Sequence, residues 1–298
     1  MYGMTRIAKT IARLEREGLP RVAAIQAARH PRALPTPTRP PGPRTGYSHA
    51  DCYAGALGDC SRDISREHYF SEGMLLEIGS PIEVSGLPWL KEGETKSVSA
   101  AALTAKILCD RHNPALSPLD RIAKELFAIL REIDAELGDA ALPAESETFT
   151  VNGPDIERWL LKVLVGFARS HKPPDELRDE EHCLRVLFGE ERLRRPWGLN
   201  VDGSKDSHAF NGISMSVLHG PEGAIWGAGF NIVGVRLWLS LGKAEAAEVN
   251  YRPSGLRFEH AERPGVKVVQ FAWPDPPFSD FTRYSRSRPY EGEPIDHF

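Results

Sequence analysis

The sequence predicts an α+β fold, with helices in its first two thirds and an antiparallel β region towards its C-terminal end. Apolar residues recur at helical spacing from about residue 117 to 138, which indicates an amphipathic helix. After about residue 196, apolar and polar residues alternate with a period of two, which is typical of strands. Three of the four cysteines lie in a short segment before the long helix. The chain therefore combines a cysteine-bearing helical part with a later β part.

Composition indicates a globular protein that does not need a metal merely to complete its core. The chain has 298 residues, 41% of them hydrophobic, and a formal net charge of −4. No apolar run is long enough to cross a membrane, and Arg6, Lys9 and Arg13 interrupt any signal-peptide pattern at the N-terminus. We therefore expect a cytoplasmic protein without a membrane partner. In that compartment cysteines stay reduced, so metal binding or simple burial is expected instead of disulfides.

Changes in pattern divide the chain into five predicted segments. They are a basic helical arm with a proline-rich linker (1–46), a cysteine-bearing domain (47–138), a helical connector (139–195), an antiparallel β region (196–275) and an irregular tail (276–298). The spacing of apolar residues in the arm predicts two short helices between residues 5 and 29. Their basic face either contacts phosphates or is simply solvated. The six prolines of the linker favour an extended, unpacked chain.

Individual elements follow from local signals. In the long helix, Ser117 is a plausible N-cap, Pro118 fits the first helical position and Gly138 marks the end. In the connector, residues 148–151 read as a short strand, and residues 154–171 as a helix with an apolar face. The connector is thus predicted to be mostly helical.

Four residues have the types and spacing of a structural metal site. Cys109 and His112 form a close pair with two residues between them, and Cys52 and Cys60 form a looser pair with seven. Zinc prefers four Cys or His ligands in tetrahedral array, and close pairs fix its corners at little entropic cost. The sequence therefore predicts one structural Zn²⁺. The alternative is that these side chains are simply buried, which is the interpretation we give Cys183 within its apolar helical pattern.

The residues between these pairs resemble a known family. The first pair precedes Ile64-Ser65-Arg66-Glu67-His68, and the second pair is followed at once by Asn113. This order, over about residues 50–125, resembles the HNH endonucleases, whose ββα-metal core is held by a zinc-binding treble clef. The resemblance implies an α+β fold with such a core.

The resemblance also implies an activity, a cofactor and a partner. Carried over by position, His68 would be the general base that activates water, and Glu67 would help hold a catalytic Mg²⁺ or Mn²⁺. Asn113 would be the partner ligand of that cation or an orienting residue. Such a protein would hydrolyse the phosphodiester bonds of a nucleic acid, with DNA the preferred one. A histidine with a pKa near neutrality and oxygen ligands suit this chemistry.

Two departures support an alternative function. Where the family has an Asn before the second ligand pair, this chain has Thr104, which reaches less far. Residues 47–138 carry nine Lys or Arg against fifteen Asp or Glu, the reverse of a usual DNA-cleaving face. The alternative is a catalytically degenerate, zinc-stabilised module that binds nucleic acid or a protein.

A basic groove could still form locally in this segment, and the candidates to line it are Arg62, Arg66, Lys106 and Arg111. Asp120 is either a further cation ligand or a residue favoured by the helix dipole.

Overall fold

The computed structural model describes most of the chain after the N-terminal arm. The described residues are 34–79, 81–87, 89–91, 93–138, 146–171, 174–203, 212–242, 249–260 and 264–286. The two predicted helices between residues 5 and 29 lie outside them. The protein has an α+β fold, as the sequence predicts.

Four α-helices and thirteen strands occur among the described residues. The helices are α1 (Glu72–Ile78), α2 (His112–Gly138), α3 (Gly153–Ser170) and α4 (Glu180–Leu187). The strands are β1 (Ile64–His68), β2 (Ile82–Ser85), β3 (Thr95–Val98), β4 (Thr104–Cys109), β5 (Glu147–Asn152), β6 (Gly198–Asp202), β7 (Ile213–His219), β8 (Ile225–Ile232), β9 (Val235–Ser240), β10 (Val249–Tyr251), β11 (Gly255–His260), β12 (Val266–Ala272) and β13 (Thr282–Arg286).

A two-stranded ribbon followed by a long helix forms the cysteine-bearing part. Strands β1 and β4 pair antiparallel, with Ile64 opposite Cys109 and His68 opposite Thr104, and α2 begins three residues after β4. The chain between the two strands makes α1 and the β2–β3 hairpin. It has a small apolar cluster of its own, which includes Tyr69 and Leu103. This insertion therefore adds a separate layer without interrupting the ribbon.

Helix α2 begins earlier than its sequence signals predict. Pro118 lies inside the helix, which starts at His112, so the N-cap assigned to Ser117 is wrong. A proline in a helix removes one hydrogen bond, to the carbonyl four residues before it. That carbonyl belongs to Pro114, which lies in the first turn of the helix. The end predicted at Gly138 is confirmed.

Helix α3 is the central element of the core. It contacts α2, α4 and strands β4, β5, β6 and β9, and most of its side chains are buried. Asn152 caps its N-terminus, because its side-chain oxygen accepts a hydrogen bond from the Asp155 N–H at 3.0 Å. The buried face includes the charged residues Glu157, Arg158 and Lys162. Burial of charge on this scale requires ion pairs, which the surrounding elements supply.

The two larger sheets differ in strand direction. The five-stranded sheet, in the order β10-β6-β9-β8-β7, is antiparallel throughout. The four-stranded sheet, β13-β11-β12-β5, is mixed, since β12 pairs parallel to β5 and β11 parallel to β13. The antiparallel β region predicted for 196–275 is thus only partly right. The sheet also takes β5 from the connector and β13 from the tail, which is not irregular throughout.

The described part of the linker is packed, which corrects the expectation of an unpacked chain. The Thr36 N–H donates to Asp155 Oδ1 at 2.9 Å, and the Thr38 hydroxyl donates to the Leu187 carbonyl at 2.6 Å. Thr38 is only 1% exposed. Prolines keep the chain extended, but the threonines between them still have donors for hydrogen bonds. The linker is therefore part of the core, and it lies against α3 and α4.

No helix among the described residues is both long and apolar enough to span a membrane.

A glycine in the antiparallel sheet offers a test of its packing. Gly227 has φ of 157°, and a Cβ there would lie 2.2 Å from the Leu239 carbonyl oxygen of the neighbouring strand. We expect Gly227→Ala to lower the free energy of unfolding by about 1–3 kcal/mol, because the backbone must shift. Gly138→Ala is the matched control, since no atom lies within 4 Å of that Cβ and α2 gains a better helix former. Urea unfolding measures both, and equal stability of the two variants would contradict the packing described.

Candidate metal centre and adjacent polar cluster

Four buried side chains converge where the ribbon meets α2. Cys52, Cys60, Cys109 and His112 have ligand atoms that all lie within 4.8 Å of one another. His112 Nδ1 lies 3.6 Å from Cys52 Sγ, 3.7 Å from Cys60 Sγ and 3.2 Å from Cys109 Sγ. Each thiol therefore faces the same ring nitrogen, and the four residues could bind a metal ion.

The local fold explains how distant residues meet here. Cys109 ends β4 and His112 begins α2, so both are fixed by regular structure. Cys52 and Cys60 flank a short 3₁₀ turn that ends at Gly58, where φ is 64° and glycine is favoured. The Tyr53 N–H donates to the Ile107 carbonyl at 3.0 Å, which fastens this turn to β4. The pairing predicted from spacing is thus seen in the structure.

Electrostatics in the cluster favour metal ligation. Burial lowers the pKa of His112 to about 4, so its imidazole is neutral at pH 7, as a ligand must be. Burial alone would raise the pKa of Cys109, but hydrogen bonds from backbone N–H groups, including that of Ser61, outweigh burial and lower it. Burial raises the pKa values of Cys52 and Cys60. Without a cation, two of the thiols therefore resist ionisation in this position.

Arg111 supports the cluster and does not line a groove. Its guanidinium donates to both carboxylate oxygens of Asp59, at 2.9 and 3.2 Å, and to the carbonyls of Pro41 and Pro43. Burial would raise the pKa of Asp59, but the hydrogen bonds from Arg111 and from the Thr45 N–H hold it below its ordinary value. Arg111, one of the residues predicted for a basic groove, thus ties the linker to the turn between the cysteines.

His68 lies at the end of β1 with part of its ring exposed. Its Nε2 is itself buried, lies 4.0 Å from Glu72 Oε1 and has no hydrogen-bond partner among the described residues. Burial lowers the pKa of His68, although the nearby Glu72 carboxylate opposes this. The opposite residue, Thr104, donates its hydroxyl to the Ala101 carbonyl within the insertion. The lowered pKa leaves the imidazole neutral at pH 7, with its Nε2 shielded from solvent.

Arg66 and Lys106 are exposed side chains on the ribbon beside His68. Arg66 is two residues before His68, so the two share a face of β1. Lys106 lies in the irregular stretch of β4 opposite Arg66, where the strand register shifts. Neither forms an ion pair within the part of the chain that the structure describes. These two cations favour an anion here, whereas the Glu72 carboxylate, 60% exposed beside His68, opposes one.

Glu67 points away from that face, into the core. Its Oε1 lies 2.5 Å from Lys162 Nζ, and its side chain is 6% exposed. Lys162 Nζ also lies 2.6 Å from Asp120 Oδ1. Burial raises the pKa of Glu67, although the Lys162 ammonium opposes this. The structure thus groups Glu67 with Asp120 and Lys162, and not on a solvent-open point with His68.

Asn113 joins the start of α2 to β1. Its side-chain nitrogen donates to Ser65 Oγ and to the Arg66 carbonyl, both at 2.9 Å. Both acceptors precede Glu67 and His68 in the same strand. In this arrangement Asn113 holds the strand that carries His68, which fits the orienting role implied by the resemblance.

Lys162 is not among the site residues predicted from the sequence, because it lies within the apolar run of α3. The signal was the position of Lys162 three residues after Trp159, on the same side of a helix whose neighbours are apolar. A charged residue on a buried face needs a partner of opposite charge.

A comparison with protein-family models, curated proteins and solved structures finds no match for this chain.

Proposed function

We propose that the chain is a metal-stabilised nuclease of the HNH type that hydrolyses phosphodiester bonds of a nucleic acid, with DNA the preferred one. The observation that carries the proposal is the strand–strand–helix arrangement around the Cys₃His cluster, with His68 at the end of the first strand. In such a core the metal fixes the fold and the strand presents the base. The exposed face beside His68 carries Arg66 and Lys106, which suit a phosphate.

The ion that best fits the cluster is zinc. With zinc–sulfur and zinc–nitrogen distances of about 2.3 and 2.05 Å, a tetrahedral site places sulfur and nitrogen about 3.6 Å apart. The three Sγ to Nδ1 distances are 3.6, 3.7 and 3.2 Å. Three thiolates and one imidazole are soft and borderline ligands, and a closed, buried set of four is typical of structural zinc. No open coordination position is left for substrate, so this ion would stabilise the fold and take no part in catalysis.

The resemblance implies a second cation, Mg²⁺ or Mn²⁺, on Glu67 and Asn113. The described residues do not fit it as they stand, because Glu67 is buried and its carboxylate already pairs with the Lys162 ammonium. We therefore derive no step through that cation.

The chemical step proposed for this chain depends on His68. Its neutral imidazole accepts a proton from water while the water oxygen attacks phosphorus, and the bond to the leaving sugar oxygen breaks. Arg66 and Lys106 hold the phosphate and offset its charge, and Asn113 keeps β1 in place. The leaving oxygen takes a proton from solvent. Phosphate contacts of this kind carry no base specificity.

The test is cleavage of a supercoiled plasmid by purified protein, with and without added Mg²⁺ or Mn²⁺. We expect nicking by the wild type and a loss of about 10²–10⁴-fold in rate for His68→Ala, because the general base is removed. His219→Ala is the matched control, since His219 is an exposed histidine on β7, in the separate five-stranded sheet. Equal nicking by wild type and His68→Ala would show a contaminant and contradict the proposal.

A second candidate function is a zinc-stabilised module that binds nucleic acid without cleaving it. The burial of Glu67 against Lys162 favours this candidate, because one of the residues implied for catalysis is withdrawn from solvent. The excess of carboxylates over residues 47–138 instead suits the protein-interaction form of the module. Gel-shift binding of DNA that is lost in Arg66→Ala/Lys106→Ala, without nicking under any condition, would support the binding module over the nuclease.

A further inference from the structure

A lysine ammonium joins two carboxylates beneath the proposed catalytic face. Lys162 is 4% exposed, and its Nζ lies 2.5 Å from Glu67 Oε1 and 2.6 Å from Asp120 Oδ1. The three residues come from different elements, since Glu67 lies on β1, Asp120 on α2 and Lys162 on α3. The ammonium thus bridges the strand and both helices at one point.

The surroundings hold this arrangement in place. The Ser71 hydroxyl donates to Asp120 Oδ1 at 2.6 Å, and the Trp159 indole N–H donates to Ser71 Oγ at 3.0 Å. Trp159 is completely buried and lies three residues before Lys162 on α3. Asp120 therefore has two donors on one oxygen, which leaves it little freedom to turn towards another cation.

The ammonium itself holds the place that a divalent cation would take. Two neighbouring carboxylates favour a cation between them, and an ammonium supplies three donors in a compact volume. Mg²⁺ demands octahedral oxygen coordination at about 2.0–2.1 Å and usually keeps several waters. Tyr53, Ser71 and Trp159 are buried, but the Asp120 side chain is 30% exposed, so the ion pairs of Lys162, and not a closed cavity, keep a divalent cation out.

We infer that the Lys162 ammonium is a built-in cation of this core, which occupies the position between Glu67 and Asp120 and excludes a divalent cation from it. Glu67 then acts as a positioning residue. It fixes the end of β1 through Lys162, and the next residue, His68, faces the opposite side of the strand. This inference rests on the proposed function only where it gives His68 a catalytic role. The test measures Mn²⁺ binding and needs no cleavage assay.

The experiment measures Mn²⁺ binding to the zinc-loaded full chain by electron paramagnetic resonance, with Mn²⁺ itself as the probe. We expect no Glu67-dependent Mn²⁺ binding by the wild type. Lys162→Met should gain a new site and bind Mn²⁺ at least about tenfold more tightly than the wild-type chain does, since the two carboxylates are released to a divalent cation. Adding Glu67→Gln to Lys162→Met should abolish that site. A merely structural role for Lys162 would not create a metal site that depends on Glu67.

Two outcomes would overturn the inference. One is wild-type Mn²⁺ binding that Glu67→Gln abolishes, and the other is a folded Lys162→Met without a new site. If Lys162→Met does not fold, the comparison of wild type with Glu67→Gln still decides, since the inference requires the two to bind Mn²⁺ equally. Absence of plasmid cleavage would overturn the nuclease proposal and leave this result unaffected.

Discussion

Replacing Cys109 by serine is expected to release the bound metal and to lower the free energy of unfolding by at least about 4 kcal/mol. Cys109 is completely buried between Cys52 and His112, and its backbone N–H donates to Cys52 Sγ at 3.4 Å. A serine hydroxyl is a poor ligand for a soft site, so the remaining three residues would lose the ion proposed for this cluster. In a chain of this size the melting temperature should fall by about 6 °C or more.

The matched control for this prediction is Cys183→Ser. Cys183 is equally buried, but its Sγ donates a hydrogen bond to the Arg178 carbonyl at 3.7 Å and lies on α4, outside the metal cluster. We expect a loss of about 1–3 kcal/mol from burying a hydroxyl, with one equivalent of zinc retained. Elemental analysis and thermal melting measure both variants. If Cys109→Ser kept its metal, or melted like Cys183→Ser, the metal centre would be refuted.

The second large effect is expected at the ion pair that joins α3 to the five-stranded sheet. Arg252 donates to both Glu157 oxygens, at 2.7 and 2.9 Å, and the Leu199 N–H also donates to Glu157 at 2.8 Å. Both side chains are largely buried. Arg252→Met should lower the free energy of unfolding by about 3–5 kcal/mol, because it leaves a buried carboxylate without its cation.

The pH dependence of this loss has a definite sign. Burial raises the pKa of Glu157, and Arg252 opposes that rise, so Arg252→Met raises the pKa further. A carboxyl group with a raised pKa in the folded state destabilises the fold increasingly as the pH rises above its pKa in the unfolded chain, and this penalty levels off above the folded-state pKa. The loss in Arg252→Met should therefore be smaller at about pH 5 than at about pH 8.

Two further variants check the origin of the effect. Glu157→Gln/Arg252→Met should recover part of the lost stability, because a neutral amide can still accept the Leu199 N–H. Arg236→Met removes an arginine whose 3.5 Å ion pair with Asp202 is more exposed, and it should cost at most about 1 kcal/mol. Urea unfolding measures the free energy of unfolding of all three variants. An equal loss in Arg236→Met and Arg252→Met would contradict the special role of the buried Glu157–Arg252 ion pair.

Spacing alone was enough to find the metal cluster. Residue type and short gaps are local properties, and Cys109 with His112 needs only one turn of chain to face one point. The orientation of Glu67 was not accessible in this way. It depends on Lys162, which lies 95 residues further along the chain. A sequence pattern cannot show which of two adjacent strand residues faces a helix that lies much further along the chain.

The same distinction applies to the fold. Helix α3 and the long α2 follow from apolar periodicity, a local property, and both ends near Gly138 and Ser170 agree with it. The strand order of the mixed sheet cannot be predicted from local periodicity, because β5 and β12 pair across a separation of about 120 residues. Alternation of apolar and polar residues fixes which face of a strand is buried, but not the direction of its neighbour.

The insertion between β1 and β4 leaves and re-enters the ribbon at paired residues, since His68 lies opposite Thr104. Its ends are thus held at the spacing of adjacent strands, whatever the chain does in between. Closing a flexible loop costs only about 0.6 kcal/mol for each doubling of its length. The part of the insertion after α1, residues 79–103, can therefore lengthen or shorten at small entropic cost, while Ser71 and Glu72 keep their contacts and the imidazole of His68 keeps its place.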